Sequence, residues 1–114
     1  MIDSVLGKQV ILDLYDCNPD MLKKADVVEA ILRKAAKVGE CNVVASHFHQ
    51  FEPDGVSGAL FLSESHLSVH SWTSEKYAAI DIFYCSDIKE QDMIHCLATE
   101  FGASNFKIQI LIRE

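Results

Sequence analysis

Four strand-type segments follow one another between two helical segments, and this order constrains the fold more than any other feature. From Met21 to Val38, apolar residues recur at helical spacing, and Gly39 is a suitable end for that helix. A second helix is predicted over 87–101, ended by Gly102. Residues with high β propensity predict strands over 10–15, 42–48, 57–62, 67–72, 77–84 and 106–112. The order β-α-β-β-β-β-α-β predicts an α+β fold, a two-layer sandwich with two helices on one face of a mainly antiparallel sheet.

Length and charge restrict the class of protein. With 114 residues, the chain is expected to form one domain over 1–114. The formal net charge of −7 argues against nucleic-acid binding and suits a cationic small substrate, although moderate negative charge is also common among soluble proteins. No segment approaches the roughly 18 apolar residues that cross a membrane, and no signal peptide is recognisable, so a cytoplasmic protein is expected. The cysteines lack a C-x-x-C pairing and are expected to be free thiols: Cys17, Cys41, Cys85 and Cys96.

The densest chemistry lies between Ser63 and Trp72, where the chain reads Ser-Glu-Ser-His-Leu-Ser-Val-His-Ser-Trp. The hydroxyl of Ser65 can attack the carbonyl of the preceding Glu64 and convert the peptide bond to an ester, provided that the oxyanion is stabilised. Removal of the serine α proton then eliminates the ester, and hydrolysis leaves a pyruvoyl group at the new N-terminus. A pyruvoyl ketone can form a Schiff base with a substrate amine and act as an electron sink, as PLP does. His70 is a suitable base, because imidazole titrates near neutrality.

Motifs at fixed offsets extend this pattern over nearly the whole chain. They are Gly7-Lys8-Gln9 to Tyr15-Asp16-Cys17, Phe48-His49-Gln50-Phe51, Pro53 with Gly55-Val56-Ser57-Gly58, Ser63 to His70 with Trp72, and Tyr77 to Phe83 running into Cys85. In these residues the chain resembles the prokaryotic S-adenosylmethionine decarboxylase proenzyme family, whose members are pyruvoyl enzymes. The resemblance implies a lyase that makes its own cofactor by autocatalytic cleavage of a zymogen.

The resemblance also implies where the chain cuts itself. The Glu64–Ser65 bond would be the cleavage site, and Ser65 would become the pyruvoyl group that forms the Schiff base. The products would be an N-terminal fragment 1–64 and a C-terminal fragment 65–114, the β and α chains of the family. His70 would be the base for processing.

The remaining matched residues would support processing, turnover and binding. By resemblance, Ser57 would support processing by hydrogen bonding the intermediate, and Cys85 would protonate the substrate α-carbon after CO2 leaves. Phe51 and Trp72 fall where the family lines its substrate pocket. Family members form dimers with active sites near the interface, so a homodimer of processed protomers is expected, without a metal, nucleic-acid or membrane partner.

Two positions depart from the family pattern. The family usually has Trp-Pro-Glu followed shortly by Gly-Tyr, whereas this chain reads Trp-Thr-Ser-Glu-Lys-Tyr over 72–77. The family glutamate that hydrogen-bonds the ribose of S-adenosylmethionine aligns with Ser74. In a strand, the neighbouring Glu75 would point to the opposite face, but in a loop it could substitute. The second departure is Ser86, where a glycine normally follows the cysteine.

Together the set predicts a self-processing pyruvoyl-dependent decarboxylase of polyamine (spermidine) biosynthesis that acts on S-adenosyl-L-methionine. Because the ribose-binding glutamate is replaced by Ser74, L-arginine or L-ornithine is the alternative substrate, since neither needs a ribose contact. Both alternatives keep the same fold and the same cofactor.

Other classes of protein are weaker interpretations of the same residues. A non-catalytic metal-binding module could use imidazole and thiolate ligands, but the spacings match no compact zinc motif. A Ser-His hydrolase would lack the G-x-S-x-G elbow and a clear third member. A regulatory homologue that no longer processes would not need to retain the serines, the base and the thiol. The ligands open to the metal hypothesis are His47, His49, His66, His70 and Cys85.

Overall fold

The computed structural model describes residues 6–85 and 87–114 of the chain. In these residues, six strands form one sheet in the order β2-β3-β4-β5-β1-β6, and each neighbouring pair is antiparallel. The α+β prediction is therefore confirmed, with the predicted element order. The elements are β1 Gly7–Tyr15, α1 Ala25–Val38, β2 Val43–Gln50, β3 Val56–Leu62, β4 Ser65–Trp72, β5 Tyr77–Tyr84, α2 Glu90–Glu100 and β6 Asn105–Arg113.

Both helices pack on one face of the sheet and form a single core with it. Strand residues point alternately into this core and away from it, as the period of two requires, and α1 buries one stripe of its surface. Burial of each large aliphatic side chain contributes about 1.5–3 kcal/mol. The largest fully buried side chains include Leu12, Leu14, Leu22, Leu32, Leu60, Leu67, Ile82, Met93, Leu97 and Phe101.

The opposite face of the sheet, which we call the open face, carries no helix of the described chain. Its side chains alternate with the buried ones along the central strands and are half-buried or exposed. Most of them are polar, as is usual for a solvated sheet face, and several are aromatic. They include Gln9, Asp13, Ser57, His66, His70, Trp72, Tyr77, Asp81 and Phe83.

The first helix begins at Ala25, four residues after the predicted start at Met21. The residues before it form a short 3-10 helix, Pro19–Met21, whose N-cap Asn18 accepts a hydrogen bond from the Asp20 amide at 3.0 Å. The first amide of α1 is instead capped from β2, because the amide of Ala25 donates to Gln50 Oε1 at 2.7 Å. A cap from a distant strand leaves no local sequence signal. The second helix is likewise shorter than predicted, Glu90–Glu100.

The hairpin between β3 and β4 is tighter than the sequence suggests. β4 begins at Ser65 rather than at 67, and Leu62 pairs directly with Ser65. The turn therefore consists of Ser63 and Glu64 alone. It is fastened to the start of β2, since Asn42 Nδ2 donates to Ser63 Oγ at 2.9 Å. The Glu64–Ser65 bond is thus the junction between the turn and β4.

No helix in the described part of the chain is long and apolar enough to cross a membrane. A cytoplasmic location stays a prediction.

Candidate active site

The carbonyl group of Glu64 has a hydrogen-bond donor in place. Pairing of His66 with Phe83 brings the end of β5 beside the hairpin turn, and the Cys85 thiol donates to the Glu64 carbonyl oxygen at 3.1 Å. That oxygen would become negatively charged if the hydroxyl of Ser65 attacked its carbon. A donor already aimed at it can stabilise the oxyanion without reorganisation.

The surroundings of Cys85 keep its thiol protonated. Local desolvation, together with the hydrogen bond and the charge of the Glu64 carboxylate, raises the pKa of the Cys85 thiol above its ordinary value. The thiol lies 3.5 Å from Glu64 Oε1. A protonated thiol is a proton donor rather than a nucleophile. Ser86, the departure that follows this cysteine, lies outside the described residues.

A second pair of chemical groups lies at the other end of the same hairpin. Ser57 in β3 is paired with His70 in β4, and Ser57 Oγ lies 2.7 Å from His70 Nδ1. His70 is exposed on the open face. This contact orients the imidazole, and in the tautomer whose Nδ1–H donates to Ser57 Oγ, the lone pair on Nε2 is available to accept a proton.

These two pairs are separated within one chain. Ser65 and His70 lie in the same strand five positions apart, which corresponds to about 16 Å between their Cα atoms at 3.3 Å per residue. A base acts within about 3 Å of the proton that it removes. The structure therefore brings Glu64 and Ser65 together with Cys85, and Ser57 together with His70, but it does not bring the two pairs to each other.

A cleft of about 330 Å³ adjoins the Ser57–His70 pair. Ser74 and Glu75 lie in the turn 73–76 between β4 and β5, and Ser74 Oγ donates to Glu75 Oε1 at 2.9 Å. In a strand, Glu75 would point to the face opposite Ser74, but the two residues occupy a turn. Both side chains therefore line the same cleft. The other lining residues include Phe51, Asp54, His70, Trp72 and Thr73.

Comparison with known proteins identifies the family. The S-adenosylmethionine decarboxylase family model matches residues 8–114. The S-adenosylmethionine decarboxylase proenzyme of Acidithiobacillus ferrooxidans (strain ATCC 53993 / BNL-5-31) is 41% identical over 99 residues, which cover 86% of this chain and 74% of that protein. The chain belongs to the S-adenosylmethionine decarboxylase family. The family resemblance of the sequence is thereby confirmed, and with it the coarse assignment as a decarboxylase.

Further similarities agree with this. The S-adenosylmethionine decarboxylase proenzyme of Carboxydothermus hydrogenoformans is 42% identical over 101 residues, which cover 88% of this chain and 80% of that protein. The crystal structure of the adenosylmethionine decarboxylase from Aquifex aeolicus VF5 has a TM-score of 0.91 and 26% identity to this chain. That similarity covers 97% of this chain and 92% of the other.

Two further residues, Gln50 in a family motif and Ser71 beside one, have structural roles that the sequence did not reveal. Gln50 Nε2 donates to the carbonyl oxygens of Lys23, Phe51 and Gly55 at 2.8, 3.0 and 3.1 Å. The buried Ser71 hydroxyl donates to the Leu22 carbonyl oxygen and accepts from the Val56 amide, both at 2.9 Å. Each is a polar residue at a strand position whose side chain points toward the core. A polar residue at a core-facing position is the sequence signal that would have identified both. Together they fix the loop that carries the cleft residue Phe51.

Glycine is required at two points of the same region. Gly55 has a φ of 103°, which disfavours other residues, and a Cβ at Gly58 would collide with the ring of Phe48. The Gly-Val-Ser-Gly motif thus places Ser57 between two backbone positions that only glycine fills well.

The metal-binding alternative finds no support. In residues 6–85 and 87–114, no three histidine, cysteine, aspartate or glutamate side chains are grouped so that they could hold a metal ion. The candidate ligands have other partners: His66 pairs with Asp81, and His70 with Ser57. His49 packs edge-on against Phe51.

Proposed function

We propose that the protein is a self-processing, pyruvoyl-dependent decarboxylase of polyamine biosynthesis that acts on S-adenosylmethionine. The observation that carries this proposal is the hydrogen bond from Cys85 to the carbonyl oxygen of Glu64, with Ser65 next in the chain. An oxyanion donor, a carbonyl and a hydroxyl nucleophile are thereby gathered on one peptide bond. The relatives are named decarboxylase proenzymes, which supports both the activity and a precursor that is cut.

The processing reaction follows from these groups. Ser65 Oγ bonds to the Glu64 carbonyl carbon, the C–N bond breaks, and an ester and a free amine result. Cys85 donates to the oxyanion of that step. A base removes the α proton of residue 65, and Glu64 leaves as a carboxylate. One water then replaces the nitrogen, and ammonia departs to leave the pyruvoyl group. The fragments 1–64 and 65–114 would stay together through the pairing of β3 with β4.

The residues around position 65 fit a pyruvoyl group. It would be held by the backbone of β4 at the hairpin junction, beside the Cys85 thiol. When present, a pyruvoyl ketone condenses with a substrate amine and accepts the electrons released as CO2 leaves. The thiol, whose pKa is raised, holds a proton at Sγ and would deliver it to the substrate α-carbon.

We further propose that the working unit is a homodimer in which each site combines two copies. Glu64, Ser65 and Cys85 would come from one copy, and Ser57 and His70 from the other. The separation of about 16 Å along β4 in one chain supports this, since a base must be within hydrogen-bond reach. His70 lies on the open face. Cys85 lies two residues after Phe83, so strand alternation directs it to the same face. Two open faces related by a two-fold axis would create two equivalent sites.

Substrate recognition is assigned to the cleft beside His70. Phe51 and Trp72 offer half-exposed rings for the adenine, and Glu75 offers a carboxylate for the ribose hydroxyls. L-arginine or L-ornithine is the second candidate, because Asp54 and Glu75 place two carboxylates in the same cleft for a distal cation. Both candidates use the cofactor derived from Ser65.

Intact mass under denaturing conditions tests self-processing. The protein should separate into two fragments cut after Glu64, and the C-terminal one should be lighter by one ammonia than a fragment starting with serine. Ser65→Ala should remain uncut, whereas the control Ser63→Ala in the same turn should cut normally. A wild-type chain that stays whole on prolonged incubation would refute the proposal. Release of CO2 from S-adenosylmethionine, arginine and ornithine would then decide the substrate.

A further inference from the structure

A chain of polar contacts on the open face begins one residue after Ser65. His66 Nε2 lies 3.2 Å from Asp81 Oδ2, and Gln9 Nε2 donates to Asp81 Oδ1 at 2.8 Å. Arg113 Nη1 donates in turn to Gln9 Oε1 at 2.7 Å. Each contact crosses to another strand, so that β4 is connected through β5 and β1 to β6. We call these four side chains the anchor network.

The ring of Phe83 supports both ends of the anchor network. The imidazole of His66 stacks on this ring with a centroid distance of 5.8 Å and an interplanar angle of 29°. The guanidinium carbon of Arg113 lies 5.7 Å from the same centroid. His66 is therefore held at its edge by Asp81 and at its face by Phe83, although about a third of its side chain is exposed. A side chain fixed in two directions can fix the backbone that carries it.

This arrangement has no role in the cleavage step proposed above, since its polar atoms contact neither the Glu64 carbonyl nor Cys85. Its location becomes important once the chain is cut. Cleavage turns the start of β4 into a free strand end, and strand ends open more readily than strand centres. The reactive residue 65 then has covalent support only from His66.

We propose that His66 and Asp81 form a positioning pair that holds the residue-65 end of β4 in place after the Glu64–Ser65 bond is cut. The inference rests on the proposed function, because it presupposes that cleavage. In the single chain, a partly exposed pair of this kind adds little to global stability. Displacement of a reacting group by about 1 Å, however, lowers the rate on the order of 10²-fold. The pair therefore acts on geometry rather than on folding.

The test compares Asp81→Ala with a matched control in cut and uncut protein. Glu100→Ala is the control. It removes the ion pair between Lys34 and Glu100, whose atoms are 3.0 Å apart in the helical layer, and the Glu100 side chain is about as exposed as that of Asp81. Each variant is made in the wild-type chain and in the uncut Ser65→Ala chain. Hydrogen exchange of peptides starting at residue 66 is followed by mass spectrometry, beside the cleavage half-time and the steady-state rates.

In cut protein, Asp81→Ala should raise amide exchange at the start of β4 by about 5-fold or more, and it should lower kcat about 10-fold with little change in KM. In uncut Ser65→Ala protein the same change should leave exchange nearly unaltered. In the chain that keeps Ser65, Asp81→Ala should leave the cleavage half-time within about 2-fold of the wild-type value. Glu100→Ala should change none of these quantities. His66→Ala, which removes the other partner, should reproduce the effects of Asp81→Ala.

Equal exchange in cut Asp81→Ala and cut wild-type protein would overturn the inference while leaving the proposed function intact. A similar rise in cut and uncut chains would also overturn it, because the pair would then be an ordinary structural contact. Slow cleavage of Asp81→Ala would assign the pair to processing instead. A wild-type chain that is never cut would remove both this inference and the proposed function.

Discussion

The two ends of the β3–β4 hairpin differ in chemistry although the same two strands form both. The turn end holds the bond that we propose is cut, the proposed nucleophile and a protonated thiol beside the Glu64 carbonyl. The far end holds a serine–histidine pair at 2.7 Å and a cleft with two aromatic rings and two carboxylates. The turn end can donate protons and stabilise negative charge, whereas the far end can accept a proton and bind a ligand. Neither end is a complete active site, and the rigid strand between them keeps them apart.

Removal of the Cys85 thiol should have the largest effect on the turn end. Cys85→Ala deletes the donor at 3.1 Å from the Glu64 carbonyl oxygen, so cleavage should slow on the order of 10²-fold, as with other lost oxyanion donors. The time course of fragment formation by intact mass measures this. Cys96→Ala is the control, because that thiol lies in α2, in the helical layer. Cleavage of Cys85→Ala at the normal rate would show that the observed hydrogen bond is incidental.

Loss of the Glu75 carboxylate should affect the far end instead. Glu75→Gln should lower kcat/KM for the true substrate about 10-fold or more, because a charge-assisted hydrogen bond in the cleft is lost. Cleavage should proceed normally, because the Glu75 carboxylate is bonded to Ser74 rather than to Ser57 or His70. Glu52→Gln makes the same change at an exposed residue that does not line the cleft. If both variants lose activity equally, the effect is one of overall charge rather than of recognition.

The ionisation of Cys85 gives a pH-dependent difference between the ends. Desolvation and the Glu64 carboxylate raise the pKa of the Cys85 thiol, so the thiolate forms only at higher pH than for an ordinary cysteine. In the uncut Ser65→Ala chain, Glu64→Gln should lower this pKa and move the rise in Cys85 alkylation to lower pH. Site-resolved mass spectrometry of alkylated peptides measures the profile. A shift to higher pH, or none, would contradict the assigned role of Glu64.

The smallest expected effect is on the free energy of unfolding, which shows how firmly each end of the hairpin is held. Gln50 makes four hydrogen bonds around the loop of the far end, whereas Asn42 makes one side-chain bond to the turn. Gln50→Ala should lower the free energy of unfolding by about 1–3 kcal/mol, and Asn42→Ala by no more than about 1 kcal/mol. Urea denaturation of the Ser65→Ala chain gives both values. The reverse order would show that the turn is the more firmly held end.

The sequence predicted the sheet well because runs of residues with high β propensity are a local signal, clear from Tyr77 to Tyr84. It placed the start of α1 wrongly, because the cap comes from Gln50 in another strand. It also began β4 two residues late, since Ser65 and His66 are ordered by pairing with β3 and β5 rather than by propensity.

The site was recognisable from its residue types but not from its geometry. The family motif named Ser57, Ser65, His70 and Cys85, yet strand register decides which of them meet. Register places Ser57 opposite His70 and brings Cys85 to Glu64. The distance between Ser65 and His70 follows from their spacing of five positions only when both are known to lie in one strand. Gln50, Ser71 and Asp81 were missed as contributors because their partners are remote in sequence.

Complementation between two inactive chains tests the central claim, that each site combines the turn end of one copy with the far end of another. Ser65→Ala retains Ser57 and His70 but lacks the proposed nucleophile, and His70→Ala retains Ser65 and Cys85 but lacks the proposed base. Co-expressed with different tags and purified through both, the pair should contain a cut His70→Ala chain, although each variant alone stays whole. The double variant Ser65→Ala/His70→Ala should give no rescue. A His70→Ala chain that stays uncut in the mixed dimer would contradict the two-copy site.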